Sequence, residues 1–177
     1  MPCREEDYEA DTNFTDFWSQ AAPSREQKEV LLPPLNFSVA SDLSDKEVQK
    51  LRGRTVLIVD DDVRNIFALQ KVLESCEMII LTAQSGYECL QVVRENPDLD
   101  IVLLDIMMPN LDGYDTLSII REELILPDLP IIAISAKTMK EEREKCLAAG
   151  ATDFISKPVV MQDVLNRICR WIRPADA

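Results

Sequence analysis

The chain contains no histidine. That removes imidazole acid–base catalysis, histidine metal ligands and a phosphohistidine role from its chemistry. Basic residues are scarce: 19 Lys and Arg stand against 32 Asp and Glu, for a net charge of −13. No basic stripe interrupts this acidity, so nucleic acid is excluded as a direct partner, because a phosphate backbone is held by clustered cations. No apolar run approaches the roughly 20 residues that span a bilayer, and membrane insertion is not expected. The opening residues MPCREEDYEA lack the basic-then-apolar order of a signal peptide. Cysteine pairs at CxxC spacing are absent too. The five cysteines (Cys3, Cys76, Cys89, Cys146, Cys169) are odd in number, which suits buried free thiols in a reducing, cytoplasmic setting.

What is present divides in two. At 177 residues the chain suits one domain plus a tail. Residues 1–50 carry 11 acids against 5 bases, hold prolines 2, 23, 33 and 34, and show two apolar islands, 14–18 and 30–37. This composition predicts an acidic, mostly disordered N-terminal arm or linker, with the folded domain over 51–177. Ser44 to Glu47 has the spacing of a capping box, so a short helix is expected to begin there. From residue 54, strand and helix patterns alternate. Strands are predicted over 55–59, 78–82, 100–104, 131–135 and 152–155. The helices between them are striped by Ile66, Leu69, Val72 and Leu73, then run over 85–95, from Asp112 as N-cap, and over 138–149 to a stop at Gly150. A last helix is striped by Val160, Val164, Leu165, Ile168 and Ile172. Five βα units with near-continuous apolar strands imply an α/β fold, a doubly wound five-stranded parallel sheet covered on both faces.

Ligands of such sheets bind beyond the carboxyl ends of the strands. There the first strand runs out at Asp60-Asp61-Asp62 and the third at Asp105, before Met108-Pro109 and Asp112-Gly113. If those strands are neighbours, their ends lie only about 5 Å apart. Carboxylates that close repel unless protonated or bridged by a cation. Oxygen ligands without His or Cys favour a hard ion, Mg²⁺ above all. The fourth strand ends at Ser135, a hydroxyl donor, and the fifth is followed by Lys157-Pro158, a cation. A carboxylate, a metal nest, a hydroxyl and an ammonium are the parts for placing a phosphoryl group and neutralising its charge.

The segments VLIVDDD, LLDIMMPNLDG, IIAISA and FISKP, in this order and spacing, resemble the receiver domain of two-component response regulators over roughly residues 54–173. The resemblance implies a flavodoxin-like (βα)5 sheet in the order 2-1-3-4-5. It implies Asp105 as phosphoacceptor, with Mg²⁺ held by Asp60, Asp61, Asp105 and the backbone carbonyl of Met107. Ser135 becomes the switch hydroxyl, Lys157 the phosphate contact and Phe154 the aromatic switch, and the Lys157–Pro158 bond is commonly cis in the family. A histidine kinase or histidine phosphotransfer protein is the implied donor. A downstream protein partner would read the face built by the fourth helix, fifth strand and fifth helix of the repeating units. Such a domain is not an enzyme beyond its own phosphorylation and dephosphorylation. Residues 63–69, VRNIFAL, are similar to receivers of hybrid sensor kinases. The alternative function is a haloacid-dehalogenase-type phosphatase, which also combines Asp, Ser/Thr, Lys and Mg²⁺. Against it, Arg64 stands two residues after the last acid where that family has Thr or Val. Plainer roles compete for single residues: Asp62 as a helix cap, Phe154 as core filler, and 138–149 as a solvated face.

Overall fold

The computed structural model describes residues 44–137 and 140–172. The islands 14–18 and 30–37, and with them the predicted disorder before residue 44, lie outside the described residues. The elements run α1 (Asp45–Leu51), β1 (Thr55–Val59), α2 (Val63–Ser75), β2 (Ile79–Ala83), α3 (Gly86–Glu95), β3 (Ile101–Asp105) and α4 (Gly113–Ser118). The last of these passes into a π-helical turn, Ile119–Glu123, before β4 (Ile131–Ser135), α5 (Lys140–Ala148), β5 (Asp153–Ser156) and α6 (Met161–Trp171). All strand pairs are parallel, in the order β2-β1-β3-β4-β5. The expected fold class is thus the observed one.

Alternation along each strand builds two cores. Successive side chains point to opposite faces, so Val56 and Ile58, Ile101 and Leu103, and Ile132 and Ile134 meet the buried stripes of α2 and α6 on one side. Leu57 and Val59, Val102 and Leu104, and Ile131 and Ala133 pack on the other side with Cys89, Leu117 and Cys146. Both faces being covered explains why the inner strands read as unbroken apolar runs. Strand bounds differ by one residue at β2, β3 and β5, since an apolar run does not mark where ladder hydrogen bonds begin. Val160 corrects the expected stripe of the last helix. It occupies the N-cap position and is exposed, while Val164, Leu165, Ile168 and Ile172 are buried.

α1 spans the expected boundary. Ser44 donates from its backbone N–H and its hydroxyl to the Glu47 carboxylate, at 2.9 and 2.7 Å, which starts the helix. Leu51 is then fully buried, Val48 packs against the α2–α6 core, and the Lys50 ammonium donates to the Cys169 carbonyl. The expected division after residue 50 falls within this helix, whose Val48 and Leu51 pack into the core.

Candidate functional site

Each site residue is placed by a strand end and the turn that follows. Asp60 follows β1, and its backbone N–H donates to the Ala83 carbonyl at the end of β2, 3.2 Å away. Asp62 caps α2, its carboxylate accepting from the Arg64 N–H at 2.9 Å. The Arg64 guanidinium pairs with the same carboxylate at 2.6 Å, and that hydrogen bond holds the Asp62 pKa down to about 2. The cap reading of Asp62 therefore describes its contacts. Asp105 is the last residue of β3, opposite Ile134 of β4. Gly113 lets the following loop return close to it: a Cβ there would stand 2.5 Å from the Ile106 Cα and 2.7 Å from the Asp105 carbonyl oxygen. No larger residue fits without moving that backbone.

These pieces converge. Asp60, Asp61 and Asp105 each offer a carboxylate oxygen within 4.8 Å of the others. Asp60 and Asp105 are almost wholly buried, at 3% and 2% exposure, whereas Asp61 faces solvent. Lys157 reaches in from beyond β5, with Nζ 2.7 Å from Asp105 Oδ2 and 3.1 Å from Asp60 Oδ2. Burial disfavours this ammonium, but Asp105 and then Asp60 outweigh that cost and its pKa is raised. The Lys157–Pro158 bond is cis, and the Lys157 N–H donates to the Ser135 carbonyl at 2.7 Å. Ser135 is fully buried, its hydroxyl accepting from the Lys137 N–H at 3.3 Å. The Met107 N–H donates to Asp105 Oδ1 at 3.0 Å, while its side chain is half exposed. Phe154 stands apart from this group, buried in the core on the α3–α5 side of the sheet.

The donor set fits a hard divalent cation. All three side chains present oxygen and converge from two neighbouring strand ends, with solvent access through Asp61. One ammonium among three carboxyl groups leaves charge for such an ion to balance. Asn65 is a site residue that the sequence reading missed. Its Nδ2 lies 3.1 and 3.0 Å from the two Asp60 oxygens. The available signal was its spacing: a carboxamide in the first turn after a strand end, on the side facing back to that end.

The chain matches the response regulator receiver domain family over residues 56–169. It is 35% identical over 137 residues to hybrid signal transduction histidine kinase L of Dictyostelium discoideum, covering 75% of this chain and 8% of that protein. It is 31% identical over 117 residues to the two-component response regulator ORR3 of Oryza sativa subsp. indica, covering 66% of this chain and 88% of that one. Thus the chain spans only 8 to 14% of the sensor and hybrid kinases it matches. Among solved structures it is similar to a chain of the co-crystal of the Saccharomyces cerevisiae histidine phosphotransfer signaling protein Ypd1 and the receiver domain of its downstream response regulator Ssk1. That likeness has a TM-score of 0.64 at 25% identity, over 68% of this chain and 89% of that chain. None of these relatives is a haloacid-dehalogenase phosphatase, and that alternative gains no support. The family match spans both acidic strand ends, Ser135 and Lys157, and this chain belongs to the response regulator receiver domain family.

Proposed function

We propose that this receiver acts in a two-component phosphorelay by accepting a phosphoryl group on Asp105. The donor is a histidine kinase or a histidine phosphotransfer protein. An Asp105 carboxylate oxygen attacks phosphorus, the donor's P–N bond breaks, and its electron pair returns to the imidazole, leaving an acyl phosphate. The carrying observation is Lys157, one ammonium bridging the two buried carboxylates Asp105 and Asp60 at 2.7 and 3.1 Å. Lys157 neutralises charge on the transferred group, and Ser135 donates its hydroxyl to a phosphoryl oxygen. Asp60, Asp61, Asp105 and the Met107 carbonyl are the proposed Mg²⁺ ligands. Mg²⁺, when bound, supplies charge neutralisation for an in-line transfer.

Val63, Met107 and Val160 are exposed apolar residues on the loops and first turn that follow the strand ends, and Phe67 is exposed one turn further along α2, which suits a protein donor. The likeness to the yeast co-crystal chain supports a phosphotransfer protein in that role. Output is proposed through α5, β5 and α6, the face expected from the sequence, by movement of Ser135 and Phe154 towards the phosphorylated site. The domain performs no chemistry beyond gaining and losing its own phosphoryl group. Cys76, Cys89, Cys146 and Cys169 are free, in keeping with a cytoplasmic setting. Among the described residues no helix is long and apolar enough to cross a membrane. The acidic arm or linker expected over residues 1–50 is proposed on composition alone.

Asp105→Asn should abolish labelling by acetyl phosphate and Mg²⁺, read by intact-protein mass, while the thermal transition persists. The amide nearly preserves shape but forms no acyl phosphate. Stoichiometric labelling of the variant would overturn the assignment.

A further inference from the structure

The Asp60 carboxylate carries more hydrogen bonds than its neighbours in the cluster. Oδ1 accepts from the Asp62 N–H at 2.8 Å and from Asn65 Nδ2 at 3.1 Å. Oδ2 accepts from the same Nδ2 at 3.0 Å and from Lys157 Nζ at 3.1 Å. One amide nitrogen therefore straddles both oxygens. Lys157 is a shared donor, because its Nζ also sits 2.7 Å from Asp105 Oδ2.

We propose that Asn65 is a positioning residue for phosphoryl transfer, holding the Asp60 carboxylate in place as Lys157 moves its hydrogen bonds to the group arriving on Asp105. This rests on the reading that Asp60 and Asp61 are cation ligands. Once Lys157 turns away, Asn65 is the side-chain donor left on Asp60, and the Asp62 N–H touches only Oδ1. Without Asn65 the carboxylate can rotate about its side-chain bonds, and each lost orientation weakens a ligand set in which only three members are carboxylates. The choice of an amide has a physical reason. A second Lys or Arg would orient Asp60 as well, but its charge would compete with the cation for the same oxygens. A carboxamide orients without that competition, as partners of metal-bound carboxylates commonly do.

Asn65 is itself fixed. Its backbone N–H donates to the Asp62 carbonyl at 3.0 Å within the capped first turn of α2. Its side chain borders a cavity of about 230 Å³ that Ala68, Leu69, Ile134, Pro158 and Met161 also line. An apolar residue of similar size can therefore replace it without being forced into the core. A purely structural Asn65 would satisfy a helix start and change melting temperature alone.

The test is a Mg²⁺ titration by calorimetry on the full chain, as wild type, Asp61→Ala, Asn65→Leu and Asn65→Gln, alongside acetyl phosphate labelling at several Mg²⁺ concentrations. Asn65→Leu should bind Mg²⁺ roughly ten-fold or more weakly. Its labelling rate should return to the wild-type value when Mg²⁺ is raised in proportion, and Asn65→Gln should recover part of the affinity. A wild-type dissociation constant in Asn65→Leu, with binding lost in Asp61→Ala, overturns the role of Asn65 alone. Unchanged binding in Asp61→Ala overturns the cation reading on which it rests. A labelling defect in Asn65→Leu that no Mg²⁺ concentration restores also counts against positioning. Should Asn65→Leu melt too low to titrate, Asn65→Ala carries the same expectations.

Discussion

α5 and α6 flank the same edge strand, β5, yet they are held by opposite means. α6 buries Val164, Leu165, Ile168 and Cys169 against the sheet. Two polar clamps add to this: Arg167 Nη1 and Trp171 Nε1 donate to the buried Asp153 carboxylate at 2.6 and 2.9 Å. α5 buries only Cys146 among its residues. Tyr114 of α4 adds a polar anchor: its hydroxyl donates to Glu142 at 2.5 Å and accepts from the Cys146 thiol at 3.8 Å. The Lys145 ammonium lies 4.0 Å from the same ring's centre. Burial first, then the Glu142 and Cys146 contacts, push the Tyr114 pKa up, so the phenol stays a donor across ordinary pH.

Apolar area cannot be exchanged for another partner at little cost, whereas a few directional contacts can. Regions with few buried apolar contacts open at lower free energy than the core. α5 follows the β4 end that carries Ser135, and α6 follows the turn that carries Lys157. Under the proposed function, a change at the site would therefore move the lightly anchored helix and leave the heavily anchored one in place.

The contrast can be broken from the apolar side first. Leu165→Ala should destabilise the domain by about 2–5 kcal/mol, measured by urea unfolding. A loss below about 1 kcal/mol would mean that α6 is not area-anchored. A smaller effect is expected at its clamp. Asp153→Asn should cost about 1–3 kcal/mol at neutral pH by weakening the acceptor of three donors, Arg167, Trp171 and the Phe154 N–H. Burial raises the Asp153 pKa, but Trp171, the Phe154 N–H and Arg167 outweigh it, and the net shift is downward. A depressed carboxyl stabilises the fold above its unfolded value of about 3.9, and that gain is lost as pH falls through the lower folded value. The gap between wild-type and Asp153→Asn melting temperatures should thus close below about pH 4. A constant gap down to acid would refute the clamp.

The smallest global effect is expected at Tyr114→Phe, at most about 0.5–1.5 kcal/mol. Its local effect should be distinct: amide exchange over 140–148 should speed up while exchange over 161–171 stays as in the wild type. Equal acceleration in both helices would end the distinction between them.

This contrast was half legible. Val164, Leu165, Ile168 and Ile172 recur at helical spacing, and that period alone identifies a buried stripe. The charged sequence of α5 has no such period and read as a solvated face, which its exposed Lys140–Glu144 pair fits. Its polar anchor is supplied by Tyr114, 28 residues before Glu142, and no local pattern links the two. Likewise Asp60, Asp61, Asp105, Ser135 and Lys157 stood out as polar endings of apolar strands. Asn65 did not, because an asparagine in a first helical turn looks like ordinary helix-start chemistry.

Sequence alone determined the order of strands and helices, the two apolar faces of the inner strands and the pole at which polar residues collect. These follow from periodicity and chain breaks, which are properties of neighbouring residues. Tertiary structure alone decided which donors meet which carboxylates, that Phe154 is packed away from the acids, and that α1 belongs to the folded body. A hydrogen bond is made or lost over a few tenths of an ångström around 3 Å. Lys157 and Asp60 are 97 residues apart in the chain, and only the parallel sheet brings their ends within that distance.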